Sequence, residues 1–137
     1  MNSAPQTTVF IVEDSEIVRD ALVDLLEDCE DVTVVGSAED AGTAIEAISR
    51  CKPDYVVLDY QLVRSTAVDV LRALYPSMSD VGFIVLTNHA TPQYRRVCVE
   101  AGATWFLDKT RDFAKVKDIV AKLREPSSSM PPLGRLP

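Results

Sequence analysis

Five short apolar runs recur along the chain, at 8–12 (TVFIV), 32–35 (VTVV), 55–58 (YVVL), 81–86 (VGFIVL) and 104–107 (TWFL). They are rich in β-branched and aromatic residues and mostly lack polar alternation. Continuous apolar character implies burial on both faces, as in a parallel sheet covered by helices. The intervening segments have helical spacing. Residues 15–28 place Ile17, Val18, Ala21, Leu22, Leu25 and Leu26 on one stripe, largely opposite Asp20, Asp24, Glu27 and Asp28. Residues 39–50 repeat the pattern with Ala41, Ala44, Ile45 and Ile48 and end before Lys52-Pro53, because a residue preceding proline resists the helical region. A third helix runs from Val68 to Leu74 and stops near Pro76. The fourth opens with Thr91 as cap and Pro92 in its first turn and closes at Gly102, and the fifth, 111–124, carries Phe113, Val116, Ile119, Val120 and Leu123. The expected architecture is α/β: a doubly wound (βα)5 five-stranded parallel sheet with helices on both faces.

At 137 residues the chain has room for one domain. The domain is expected over 7–124, preceded by an extension, 1–6, and followed by a Pro/Ser-rich tail, 125–137, expected to be disordered. A net charge of −7 argues against direct nucleic-acid or anionic-membrane binding, which needs clustered Lys and Arg. No apolar run approaches the roughly 20 residues that span a bilayer, and MNSAPQTT lacks the parts of a secretory signal, so a cytoplasmic location is expected. Cys29, Cys51 and Cys98 have no paired spacing and read as buried, reduced thiols.

In folds of this class the functional crevice lies beyond the carboxyl ends of the strands. Run one ends in Glu13-Asp14, run three in Asp59, run four in Thr87-Asn88, and run five leads through Asp108 to Lys109. Each has an ordinary reading as a cap, turn or surface charge. Jointly they supply three carboxylates, a hydroxyl and an ammonium to one crevice. Three close carboxylates repel unless a cation joins them, and without His or Cys a hard divalent ion is indicated, Mg²⁺ (or Mn²⁺). With that ion and Lys109 the formal charge reaches zero, and a carboxylate can then attack phosphorus. Asp59 is the candidate nucleophile, Glu13 and Asp14 suit the metal, and the Thr87 hydroxyl can bond a phosphoryl oxygen.

The stretches VFIVEDSEIVRDAL, PDYVVLDYQL and GATWFLDK, with Thr87, resemble the receiver domain of two-component response regulators over roughly residues 7 to 124. The resemblance implies a flavodoxin-like sheet of strand order 2-1-3-4-5, Asp59 as phospho-acceptor, and metal held by Glu13, Asp14, Asp59 and the backbone carbonyl of Gln61. It also implies Thr87 and Lys109 as phosphate-binding and switch residues, Phe106 as the switch aromatic, and Gln61 and His89 as tuning positions around the attacking water. The implied donor is a sensor histidine kinase or phosphotransfer protein. The output would be a downstream protein, or a homodimer, meeting the face of helix four, strand five and helix five, where Arg95, Arg96 and Lys115 are candidate contacts. The chain departs from the family at Val63 (commonly proline), Ala67 (commonly glycine) and Thr110 (usually proline).

A haloacid-dehalogenase-type phosphatase would need a second aspartate at position 61, and a flavodoxin-like cofactor site would need a phosphate loop where the acidic Glu13-Asp14 stands. Two alternatives stay open: a phosphorylation-independent interaction module of the same fold, and a receiver fragment of a longer regulator with an output domain.

Overall fold

A computed structural model describes residues 6–122. In chain order the elements are β1 (Thr7–Val12), α1 (Glu16–Glu27), β2 (Val32–Ala38), α2 (Ala41–Cys51), β3 (Tyr55–Asp59), β4 (Gln61–Leu62), β5 (Ser65–Thr66), α3 (Ala67–Leu74), a 3-10 turn (Tyr75–Ser77), β6 (Gly82–Thr87), α4 (Pro92–Ala101), β7 (Trp105–Asp108) and α5 (Lys115–Lys122). The main sheet is parallel in the order β2-β1-β3-β6-β7, which is the expected 2-1-3-4-5 once the small hairpin β4-β5 is set aside.

Because side chains alternate across a sheet, each central strand feeds two cores. Phe10, Val12, Val56, Leu58, Phe83, Val85 and Phe106 pack on one face under α2, α3 and α4. On the other face Val9, Ile11, Val57, Ile84, Leu86 and Leu107 meet Leu22 and Leu26 of α1 and Val116, Ile119 and Val120 of α5. Tyr55 and Trp105 close this second core at the amino ends of β3 and β7, their ring centroids 5.9 Å apart.

The caps start the helices where the sequence suggests. Ser15 Oγ accepts from Val18 N, Asp40 Oδ1 from Thr43 N and Thr91 Oγ1 from Tyr94 N, each satisfying an amide that lacks a helical partner. α2 stops at Lys52, which takes the left-handed conformation (φ 49°), and α4 at Gly102 (φ 124°).

Four expectations need correction. β2 continues to Ala38 and is an edge strand, so it alternates between buried and exposed residues instead of being buried on both faces. Its register against β1 shifts so that Val35 bulges out. The fifth helix begins at Lys115, because residues 108–112 are held in a loop by their own aspartates. Hairpin β4-β5 has no counterpart in the apolar pattern. Of the three thiols, all free, Cys98 is buried, Cys29 half-buried and Cys51 exposed at the end of α2. Burial pushes the Cys98 thiol up to about 12.

Apart from the exposed Gln6, the expected amino-terminal extension and the Pro/Ser-rich tail lie outside the described residues. Among the described residues no helix is long and apolar enough to cross a membrane.

Candidate functional site

β1, β3, β6 and β7 are neighbours in the sheet and point the same way, so the residues at their carboxyl ends meet. Asp59 closes β3, Thr87 closes β6, Glu13-Asp14 follow β1 and Lys109 follows β7. Glu13, Asp59 and Thr87 are 1 %, 8 % and 1 % exposed, which is rare for carboxylates unless they are partnered. The partner is Lys109. Its Nζ lies 3.0 Å from Glu13 Oε1 and 3.2 Å from Asp59 Oδ2. The backbone fixes that ammonium, since Lys109 N donates to Thr87 O at 2.8 Å and extends the β6-β7 ladder by one residue.

Burial raises the Glu13 carboxyl above its ordinary range, opposed by the hydrogen bond from Lys109 and reinforced by the charge of Asp59. Asp59 is raised for the same first reason, with Lys109 opposing. For Lys109 burial works against the charge, but the hydrogen bond to Glu13 and the charges of Asp59 and Glu13 outweigh it and hold the ammonium above its ordinary value. The site is therefore short of positive charge. Glu13, Asp14 and Asp59 each offer a carboxylate oxygen, all within 4.8 Å of one another. Oxygens around an octahedral Mg²⁺, at about 2.1 Å from the ion, stand roughly 3 to 4 Å apart, so small adjustments would bring this hard, all-oxygen set onto such a cation.

Two clefts meet at Asp59 and Gln61. One is bordered by Glu13, Asp14, Lys109, Ile17 and Phe113. The other is bordered by Thr87, Asn88, His89, Gln93 and Tyr94. Thus Glu13, Asp14, Asp59, Gln61 and Lys109 share one space, while Thr87 and His89 face the adjoining one. His89 is exposed, and its N–H donates to Thr87 Oγ1 at 3.0 Å. Phe106 stands apart, buried in the core beneath α3 and α4. Tyr60, next to Asp59, stacks on Tyr94 of α4 with ring centroids 4.5 Å apart. Of the candidate partner contacts, Arg96 is exposed and Arg95 half-buried, whereas Lys115 is engaged with Asp112 at 3.1 Å.

Sequence reasoning missed Asp112. Its Oδ2 accepts from Asp108 N at 3.0 Å, while Asp108 Oδ1 accepts from Thr110 N at 2.9 Å and Arg111 N at 2.8 Å. This reciprocal pair shapes the loop that carries Lys109. Burial alone would raise Asp112, but the Asp108 amide, Lys115 and Arg111 outweigh it and hold the carboxyl below its ordinary 3.8. A depressed acid contributes stability above its unfolded value, and that contribution is lost as pH falls through the folded value. Asp112→Ala is expected to lower stability by about 1–3 kcal/mol at pH 7. Urea midpoints at pH 7 and near pH 3 check this, and a gap that does not narrow in acid would contradict the ionic account.

Residues 9–121 match the family model described as the response regulator receiver domain. The chain belongs to the response regulator receiver domain family. Curated relatives include the DNA-binding transcriptional activator DevR/DosR of Mycobacterium tuberculosis, 33 % identical over 74 % of this chain and 46 % of that protein. The uncharacterized transcriptional regulatory protein YvfU of Bacillus subtilis is 32 % identical over 83 % of this chain and 57 % of its own length. The receiver chain thus spans about half the length of the curated relatives it matches. A LuxR-family two-component response regulator from Aurantimonas sp. SI85-9A1 superposes with TM-score 0.81 at 25 % identity, covering 93 % of this chain and 91 % of that one. The response regulator domain of Thermotoga maritima CheB shares the fold at TM-score 0.75, with 22 % identity over 92 % of this chain and 99 % of that one.

In this receiver, Thr110 supplies an N–H that the loop uses. A proline there would lack the donor to Asp108 Oδ1.

Proposed function

We propose that this receiver accepts a phosphoryl group on Asp59 from a phosphohistidine of a sensor histidine kinase or phosphotransfer protein, with a divalent cation, Mg²⁺ or Mn²⁺. The observation that carries this is the bridge of Lys109 between Asp59 and Glu13 beside three convergent carboxylates. An Asp59 oxygen attacks phosphorus as the phosphorus–nitrogen bond of the donor breaks, the electron pair leaving with the imidazole. Glu13, Asp14, Asp59 and the Gln61 carbonyl would hold the cation, which supplies positive charge to the transferring oxygens. Lys109 neutralises a further oxygen, and the Thr87 hydroxyl, already at the cleft, turns to bond another. Phe106 repacks, and the face of α4, β7 and α5 presents a changed surface to a downstream protein or a second copy. Gln61 and His89, at the meeting of the clefts, tune the attack of water on the acyl phosphate. The setting is cytoplasmic, and the net charge of −7 disfavours direct contact of this chain with nucleic acid or anionic membrane.

Incubation with acetyl phosphate and Mg²⁺, followed by intact mass, tests the reading. One phosphoryl adduct is expected, absent from Asp59→Ala and absent in EDTA. An adduct that persists in Asp59→Ala, or none in the wild type, would refute it.

A second reading concerns output: the chain is the receiver part of a longer regulator. The share of its relatives that it spans, about half, favours this. The reading frame downstream of codon 137 decides it.

A further inference from the structure

The hairpin after the acceptor strand is tied to a support outside itself. Gln61 and Leu62 pair antiparallel with Thr66 and Ser65, and Arg64 at its tip holds a left-handed conformation, φ 55°. A side chain there crowds the following carbonyl and is disfavoured without support, so the hairpin needs anchors. Ser65 Oγ donates to Val63 O at 2.9 Å and accepts from Ala41 N at 3.2 Å, an amide in the first turn of α2 that has no helical partner. Val63 N donates to Glu39 O at 3.3 Å.

The same junction, residues 38–41, also supports the acidic loop. Glu13 N donates to Ala38 O at 2.9 Å. Arg19 reaches from α1 to Glu13 O and to the Glu39 carboxylate, 3.5 Å from each. The loop bearing Glu13 and Asp14 and the hairpin bearing Gln61 therefore hang from one support across the cleft they share.

We infer that Ser65 is a positioning residue of the cation site, its hydroxyl locking the Gln61 hairpin to the α2 amino terminus and so to the acidic loop. The inference deepens the function proposed above and rests on it. Ser65 touches none of the candidate metal-holding side chains; it acts through the backbone.

Calorimetric titration with Mg²⁺, run beside acetyl phosphate uptake as a function of Mg²⁺, tests it on wild type, Ser65→Ala, Ser65→Thr and Val63→Pro. Ser65→Ala is expected to bind Mg²⁺ roughly tenfold more weakly, the size of effect seen when a ligand's supporting partner is removed. Its uptake rate at saturating Mg²⁺ should match wild type, Ser65→Thr should restore the affinity, and Val63→Pro, which removes the donor to Glu39 O while fixing φ at 63 and restricting Leu62, should weaken it in the same direction. Unchanged affinity in Ser65→Ala, or a loss that threonine does not repair, overturns the inference. Circular dichroism and melting of each variant show whether it is folded. If the wild type itself binds no Mg²⁺, the proposed function fails; if the wild type binds and Ser65→Ala binds equally, only the role of Ser65 fails.

Discussion

In metal-free buffer at pH 8, Asp59→Asn should melt above the wild type, by about 1–2 kcal/mol or roughly 3–8 °C, while losing all phosphoryl uptake. The Asp59 carboxyl is raised by burial, so the folded state binds its proton more tightly than the unfolded chain does. Stability therefore falls as pH rises from the ordinary aspartate value of 3.8 through the folded value, and stays reduced above it. Asparagine keeps the shape without the charge, and Lys109 keeps Glu13 as a partner at 3.0 Å. The advantage should shrink as pH falls through the folded value and the wild-type carboxyl takes up its proton. Saturating Mg²⁺ should reverse the order, because a ligand at a hundredfold excess over its Kd stabilises the form that binds it by about 2.7 kcal/mol. Thermal melts in EDTA and in Mg²⁺ measure both halves. A variant less stable than wild type in EDTA would mean that the attraction of Lys109 exceeds the burial penalty of Asp59.

Lys109→Ala should act in the opposite direction and more strongly, lowering metal-free stability by about 3 kcal/mol, since it leaves buried carboxylates without their cation. The ammonium is held above its ordinary 10.5. A raised base contributes stability that is complete below its unfolded value and disappears as pH rises through the folded one, so the wild type should lose this contribution only above about pH 10.5. At neutral pH Mg²⁺ should recover part of the loss in the variant. Urea unfolding with and without Mg²⁺ checks this; identical midpoints for wild type and variant in EDTA would show that the bridge contributes nothing.

The strands were legible because burial on two faces leaves short apolar runs whose length and β-branched and aromatic content separate them from the longer helical patterns. The run at 32–35 ended early for the same reason. Beyond Val35 the edge strand is half solvated, and Gly36-Ser37 carries no apolar signal although it pairs with β1. Hairpin β4-β5 was invisible because two-residue strands have no period. The start of the fifth helix was misplaced because Phe113 is in phase with Val116 and Val120, while the Asp108-Asp112 exchange keeps the chain in a loop until Lys115.

The candidate site divides in the same way. Glu13, Asp14, Asp59, Thr87 and Lys109 could be read from the sequence because strand ends announce them. Asp112, Arg19 and Ser65 could not: Asp112 bonds within its own loop, where no period marks it, Arg19 reaches from α1 to Glu39, and a serine bonded to an amide 24 residues away has no local pattern.

The single tryptophan bears on how all of this can be measured. Trp105 opens β7 and Lys109 follows its end, so about four residues, roughly 13 Å of strand, separate the indole from the ammonium. The indole is sealed against Tyr55 at the opposite pole of the sheet. Its emission thus reports unfolding from the end of β7 opposite to the site. The same fluorophore can therefore read out the unfolding midpoint of every variant, with cation and phosphoryl uptake followed separately by calorimetry and mass.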